Sequence, residues 1–256
     1  LMIGDVFGRP GRRAVRALMP KLMMKHNIDF TVINAENSAG GFGITSDIVE
    51  ELFDYGADVL TGGNHSFDKA EGHAVLNERE HVLRPHNYPR ENPGSGVTIV
   101  RRSDFSVGVI NLQGRVFLPV TECPFKTADE LIEELKPKVD IILVDLHAEA
   151  TSEKMAMAWH LDGRVSALVG THTHVQTADE QVFPKGMAYI TDLGMTGPHR
   201  SIIGVKIEQS LGRFLNTGPS RFEAAKGDVR LHGVLIDVDE STGKAVSIER
   251  IQEQLT

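Results

Sequence analysis

The stretch Val165-Ser166-Ala167-Leu168-Val169-Gly170-Thr171-His172-Thr173-His174 sets the reading of the whole chain. Its apolar, partly β-branched run reads as a buried strand, and Gly170 is followed by two histidines two positions apart. If the extended backbone continues past Gly170, alternate side chains point the same way and His172 and His174 face one point. Neutral imidazole is the commonest side-chain metal ligand, so a strand end holding two of them is a candidate metal site. The plainer alternative is a pair of core or surface histidines with no ligand.

Other apolar runs end in the same way. Residues 1–5 stop at Asp5, and residues 30–34 deliver Glu36 and Asn37 into the loop Gly40-Gly41-Phe42-Gly43. Residues 57–61 lead to Gly62-Gly63-Asn64-His65, and residues 139–146 hand over His147. The 40–43 loop lacks the third glycine of a dinucleotide fingerprint and the Lys-Ser/Thr of a P-loop, so it reads as flexible backbone serving the site. Helical periodicity predicts a helix from near Arg12 to His26, with Pro20 kinking or dividing it. Further helices are expected from the cap Thr45 to about Tyr55, from Lys69, over 128–135 and over 151–161. Residues 97–100 and 105–112 read as a hairpin, 188–192 as a strand before the turn-rich Gly194-Met195-Thr196-Gly197-Pro198, and 229–238 and 245–251 as alternating strands.

Strand–loop–helix units that turn mixed in the middle and tail predict an α/β (α+β) fold. The expected form is a four-layer αββα sandwich of two mixed sheets flanked by helices, with a single open sheet as the weaker alternative. Either way, ligands belong beyond the carboxyl ends of the strands, where these polar residues fall. No repeat, low-complexity tract or linker divides residues 1–256, which therefore read as one domain.

The net charge of −8 supplies no overall basic field, so no stable nucleic-acid partner is expected. A single cysteine, Cys123, excludes a disulfide within this chain and a cysteine-built zinc site. No run reaches membrane-spanning length and no secretion signal is visible, so the expected setting is a reducing cytoplasm. Leu1 falls inside a strand-like run, so residues before it are expected. Loops 84–96 and 114–124 are long enough for contact between copies, which leaves a homo-oligomer open.

Collected, the strand ends supply Asp5, Glu36, Asn37, Asn64, His65, His147, His172 and His174. This oxygen and nitrogen set is too large for one four-coordinate ion and suits two six-coordinate ones, and carboxylate with imidazole suits iron, manganese or zinc better than calcium. A carboxylate such as Glu36 can bridge two cations about 3.5–4 Å apart, the spacing of two-metal hydrolysis. Each residue taken singly has a duller role: Asp5 as a turn cap, Asn64 in a tight bend, His147 as a hydrogen-bonded core histidine.

The blocks Gly4-Asp5, Gly63-Asn64-His65, His147 and Gly170-Thr171-His172-Thr173-His174 resemble those of calcineurin-like metallophosphoesterases. Asn34-Ala35-Glu36-Asn37-Ser38-Ala39-Gly40-Gly41, residues 147–154 and residues 191–198 are similar to the YmdB-like bacterial branch of that superfamily. The resemblance implies the four-layer sandwich and a phosphodiesterase of 2′,3′-cyclic nucleotides, acting through a metal-bridging hydroxide. It implies Asp5, Glu36, Asn37 and His174 at a first metal, and Glu36 as bridge with Asn64, His147 and His172 at a second. His65 would be the catalytic acid at the leaving oxygen. Two residues depart from the wider superfamily: Phe7 stands where a ligating histidine is usual, and Glu36 replaces a bridging aspartate. Glu149 is expected to lean on His147 from outside the site. Two rivals are a metal-binding regulatory or RNA-interacting protein with slow catalysis, and a phosphomonoesterase.

Overall fold

The computed structural model describes residues 1–216 and 222–256. In chain order its first half runs β1 (Met2–Ile3), β2 (Asp5–Val6), α1 (Gly8–His26), β3 (Val32–Asn34), α2 (Ser46–Asp54), β4 (Val59–Thr61), α3 (Ala70–Glu78), β5 (Val97–Arg101) and β6 (Ser106–Gln113). The second half runs α4 (Pro124–Leu135), β7 (Ile141–His147), α5 (Thr151–Leu161), β8 (Ala167–Thr171), β9 (Gln181–Val182), β10 (Ala188–Ile190), β11 (Met195–Pro198), α6 (Ile207–Leu215), β12 (Val229–Asp239) and β13 (Lys244–Gln254).

These strands form two mixed sheets. One has the order β2-β11-β12-β1-β3-β4, with β13 also paired to β12. The other has the order β5-β6-β7-β8-β10-β9. Strand alternation then sorts the apolar side chains into three layers of core. Met2, Val32 and Val59 of the first sheet meet Val107, Val109, Ile141, Leu143, Ala167 and Val169 of the second. Their neighbours Ile3, Ile33 and Leu60 point the other way, onto Val15, Met19, Leu22 and Leu52 of the helices α1 and α2. On the far side Ile142, Val144 and Leu146 pack with Ala128 and Ile132 of α4 and Met157 and Leu161 of α5. Helix, sheet, sheet, helix is therefore the observed sequence of layers.

Between the sheets the same alternation changes chemistry towards the carboxyl ends. Positions 141 and 143 of β7 are apolar, whereas 145 and 147 are Asp145 and His147. The parallel registers set Gln113, His147 and Thr171 in one row, and Asn34 beside Thr61. Polar bonds then cross between sheets: Asp145 accepts from Asn34 Nδ2 at 3.0 Å and from Thr61 Oγ1 at 2.5 Å.

Several element boundaries differ from expectation. The first helix begins at Gly8 rather than Arg12 and runs through Pro20 to His26 without a break. Thr45 does occupy the N-cap of α2, but its hydroxyl makes no capping hydrogen bond. α4 starts at Pro124, four residues before the expected Ala128. Met195–Pro198 is a strand rather than a turn, pairing parallel with β2 and antiparallel with β12. α6 was not anticipated; of its residues only Ser210 is buried.

Candidate metal centre

The expected ligands fall into two neighbouring groups. Asp5, Asn37 and His174 form one: His174 Nε2 lies 3.1 Å from Asn37 Oδ1 and 3.9 Å from Asp5 Oδ1. Glu36, Asn64, His147 and His172 form the other: His147 Nε2 lies 3.1 Å from Glu36 Oε1, 3.0 Å from Asn64 Oδ1 and 3.1 Å from His172 Nδ1. Ligand atoms of Glu36, His147 and His172 all lie within 4.8 Å of one another. His147 Nδ1 and Asp5 Oδ1, 3.8 Å apart, join the groups. Gly63 is required by this crowding, because a Cβ there would run into the Glu36 carboxylate and the His147 ring.

Hydrogen positions follow from the outer partners. Asp145 Oδ1 accepts the Thr171 hydroxyl at 2.7 Å, so Thr171 Oγ1 must accept from His147 Nδ1 at 2.9 Å. Glu149 Oε2 lies 3.0 Å from His172 Nε2 and can only accept, which leaves the Nδ1 lone pair facing inward. The Ile203 carbonyl fixes the hydrogen of His174 on Nδ1 at 2.9 Å, which turns the Nε2 lone pair towards Asn37 Oδ1. Asn37 Nδ2 is already spent on the Gly41 carbonyl at 3.0 Å. Lone pairs thus meet lone pairs at about hydrogen-bond distance. One proton on His147 Nε2 answers one of its three facing acceptors, whereas a cation answers all of them. Asp5 Oδ1 is buried without any hydrogen-bond partner, which a carboxylate tolerates beside a cation. The donor set fits metal ions.

Electrostatics point the same way. Burial pushes Asp5 up to about 6, against the pull of His174 and His147. Burial would also raise Glu36, but the charge and hydrogen bond of His147, then His65, bring it down to about 2. Burial opposes charge on His147, yet Glu36, Asp5 and Asp145 together carry it up to about 9. Burial, then the charge of His147, holds His172 down to about 3. Carboxylates that raise the proton affinity of an imidazole raise its metal affinity too.

Two expectations need correction. The backbone past Gly170 is not extended: β8 ends at Thr171, and His172 and His174 adopt φ values of 99° and 65°. Such left-handed conformations cost non-glycine residues about 1–3 kcal/mol each. The two imidazoles therefore converge through a strained turn instead of strand alternation. Glu149 partners His172 rather than His147, whose outer partner is Thr171.

His65 stands beside Glu36. Its backbone N–H donates to Glu36 Oε2 at 3.1 Å, and its Nδ1 lies 2.7 Å from Asp68 Oδ2. Phe42 meets the ring edge-on at 5.0 Å. Phe7 packs against His174 in a T-shaped ring pair with centroids 5.7 Å apart. Sequence reading overlooked Asp68, Asp145, Thr171 and the Ile203 carbonyl as orienting groups. A buried aspartate inside the apolar run 141–146 was the available signal for Asp145.

The description "YmdB-like protein" belongs to the family model that matches residues 1–251. A 2′,3′-cyclic-nucleotide 2′-phosphodiesterase of Bacillus subtilis is 51% identical over 251 residues, spanning 98% of this chain and 95% of its own. A solved protein from Thermus thermophilus, described as hypothetical, superposes with a TM-score of 0.93 at 42% identity over 99% of this chain and 98% of its own. A solved structure from Mycoplasma pneumoniae, described as a novel phosphatase, gives 0.93 at 38% identity over 99% and 92%. On the match over residues 1–251 and these near full-length likenesses, the chain belongs to the YmdB-like protein family.

Proposed function

We propose that this protein is a metal-dependent phosphodiesterase that hydrolyses 2′,3′-cyclic nucleotides at the centre built on Glu36 and His147. The convergence of unprotonated ligand atoms on His147 Nε2 carries the reading. The Bacillus relative, 51% identical along the chain, supports the substrate class. We assign Asp5, Asn37 and His174 to one ion, Asn64, His147 and His172 to a second, and Glu36 to both. Iron or manganese suits this mixture of carboxylate, amide oxygen and imidazole. Such ions, when bound, supply Lewis acidity to the phosphoryl oxygens and an activated nucleophile at neutral pH.

The residues of the chain do the rest. Thr171 and Asp145 hold the His147 ring by its Nδ1–H, Glu149 holds His172 by its Nε2–H, and the Ile203 carbonyl holds His174 by its Nδ1–H. His65 is the catalytic residue. Asp68 fixes the ring through Nδ1, which leaves Nε2 to serve the departing ribose oxygen. None of the eight site residues forms an ion pair with lysine or arginine among the described residues. That sparing use of positive charge favours a diester monoanion over a monoester dianion. The single cysteine suits a reducing cytoplasm, and no helix among the described residues is long and apolar enough to cross a membrane.

The test compares 2′,3′-cyclic AMP and bis(p-nitrophenyl) phosphate with p-nitrophenyl phosphate, using Mn²⁺ or Fe²⁺, a chelator, and the variants Glu36→Ala and His65→Ala. Diester turnover is expected, lost with chelator and in Glu36→Ala, and reduced about 10²–10⁴-fold in His65→Ala. Preference for the monoester would reassign the substrate. Absence of turnover with metal bound would replace catalysis with a binding role.

A further inference from the structure

Behind the strained histidine turn lies a buried ion pair that the mechanism above does not use. Lys154, on α5, is buried and places Nζ 2.7 Å from Asp192 Oδ2. The same carboxylate oxygen accepts the Thr173 backbone N–H at 3.1 Å and the Thr173 hydroxyl at 2.7 Å, and Oδ1 accepts the Gly194 N–H at 2.8 Å. Thr173 is the residue between His172 and His174. Its anchoring therefore fixes a segment that serves both ligand groups, at φ values that His172 and His174 would not adopt unaided.

The surrounding chain is shaped to this pair. Asp192 is itself locked, its N–H donating to Thr177 Oγ1 at 2.9 Å and its carbonyl accepting the Thr177 N–H at 3.1 Å. The stem of Lys154 passes beneath Gly170, where a Cβ would come within 2.8 Å of Lys154 Cδ. With Lys154, Thr173 and Gly194 bound to it, the Asp192 carboxylate is occupied and is not a ligand in its own right. A lone buried charge would be strongly unfavourable, so Lys154 is what allows a carboxylate to sit there.

The geometry points to Asp192, backed by Lys154, as the positioning residue that holds the His172-Thr173-His174 turn in its metal-binding shape, an assignment that rests on the metal-centre reading above. Its action is indirect: it touches Thr173 and neither imidazole.

The decisive experiment titrates metal-free protein with Mn²⁺, reading free Mn²⁺ by electron paramagnetic resonance, alongside thermal unfolding in chelator. Thr173→Val keeps the shape of the side chain and removes its hydroxyl bond, and Thr173→Ser keeps the bond. Thr173→Val is expected to weaken Mn²⁺ binding about tenfold and Asp192→Asn up to about a hundredfold. Thr173→Ser should bind as the wild type does, and Thr173→Val should unfold in chelator within about 2 °C of the wild type. Equal Mn²⁺ affinity in the wild type and Thr173→Val overturns the assignment. So does a loss in Thr173→Val that Thr173→Ser fails to restore. Should Asp192→Asn not fold, the two Thr173 variants decide, because that side chain is only half-buried. A wild type that takes up no Mn²⁺ removes the metal centre and this role together, a result distinguishable from equal binding in the variants.

Discussion

His232 lies on β12 with both ring nitrogens buried and without hydrogen-bond partners, and its ring sits 4.2 Å from that of His199. Burial, then the charges of His199 and Arg230, push it down to about 3 from an ordinary 6.5. Between those values the unfolded chain binds a proton that the folded chain refuses. Stability from this residue is therefore complete above about 6.5 and is lost as pH falls towards about 3, at about 1.4 kcal/mol per pH unit. His232→Leu removes the proton site and two unsatisfied polar atoms, so its stability should fall less between pH 6 and pH 4. Urea unfolding of both proteins at several pH values would show it, and His172, also held at about 3, cancels in the comparison. Parallel acid limbs would acquit His232. At this scale the candidate ligands were legible because ligand-type residues close apolar runs. Their orienting groups were not, since Thr171 becomes the partner of His147 only when β7 and β8 pair across 24 residues of sequence.

Elements were legible where the apolar pattern was continuous, as in β7, and obscured where a structure-breaking residue serves tertiary packing. β11 contains Gly197 and Pro198 and reads as a turn, yet Gly197 is there because a Cβ would meet Phe7, and Pro198 ends the strand. In α1 the expected break at Pro20 is absent because Leu18, Met19 and Leu22 are buried on either side of it. Tertiary packing of one face outweighs a local cost of about 3 kcal/mol for an interior proline. Pro20 is itself exposed, so Pro20→Ala keeps the buried face and restores the backbone donor to the Arg16 carbonyl. It should raise stability by roughly 1–3 kcal/mol with metal uptake unchanged, as read by chemical denaturation. A loss of stability would mean that the proline ring makes a compensating contact.

Across the whole molecule, the two sheets contribute to one site from opposite sides. Asp5, Glu36, Asn37 and Asn64 sit on or just beyond strands of the first sheet, and His147, His172 and His174 on or beyond strands of the second. An ion held there, as proposed, would tie the layers together, and no unfolded chain can assemble ligands drawn from positions 5 to 174. Binding to the native state alone adds about 4 kcal/mol at a metal concentration a thousand times the dissociation constant. For a chain of this size that corresponds to roughly 8–16 °C in unfolding temperature. Chelation should lower the melting temperature of metal-loaded protein by that order. Glu36→Ala, which deletes the carboxylate proposed to serve both ions, should lose most of the difference between loaded and chelated forms. The apolar layers on either side of the sheets do not depend on metal, so the chelated protein should still unfold cooperatively in calorimetry. A melting temperature indifferent to chelator in protein shown by elemental analysis to have held metal would place the ions elsewhere than between the sheets.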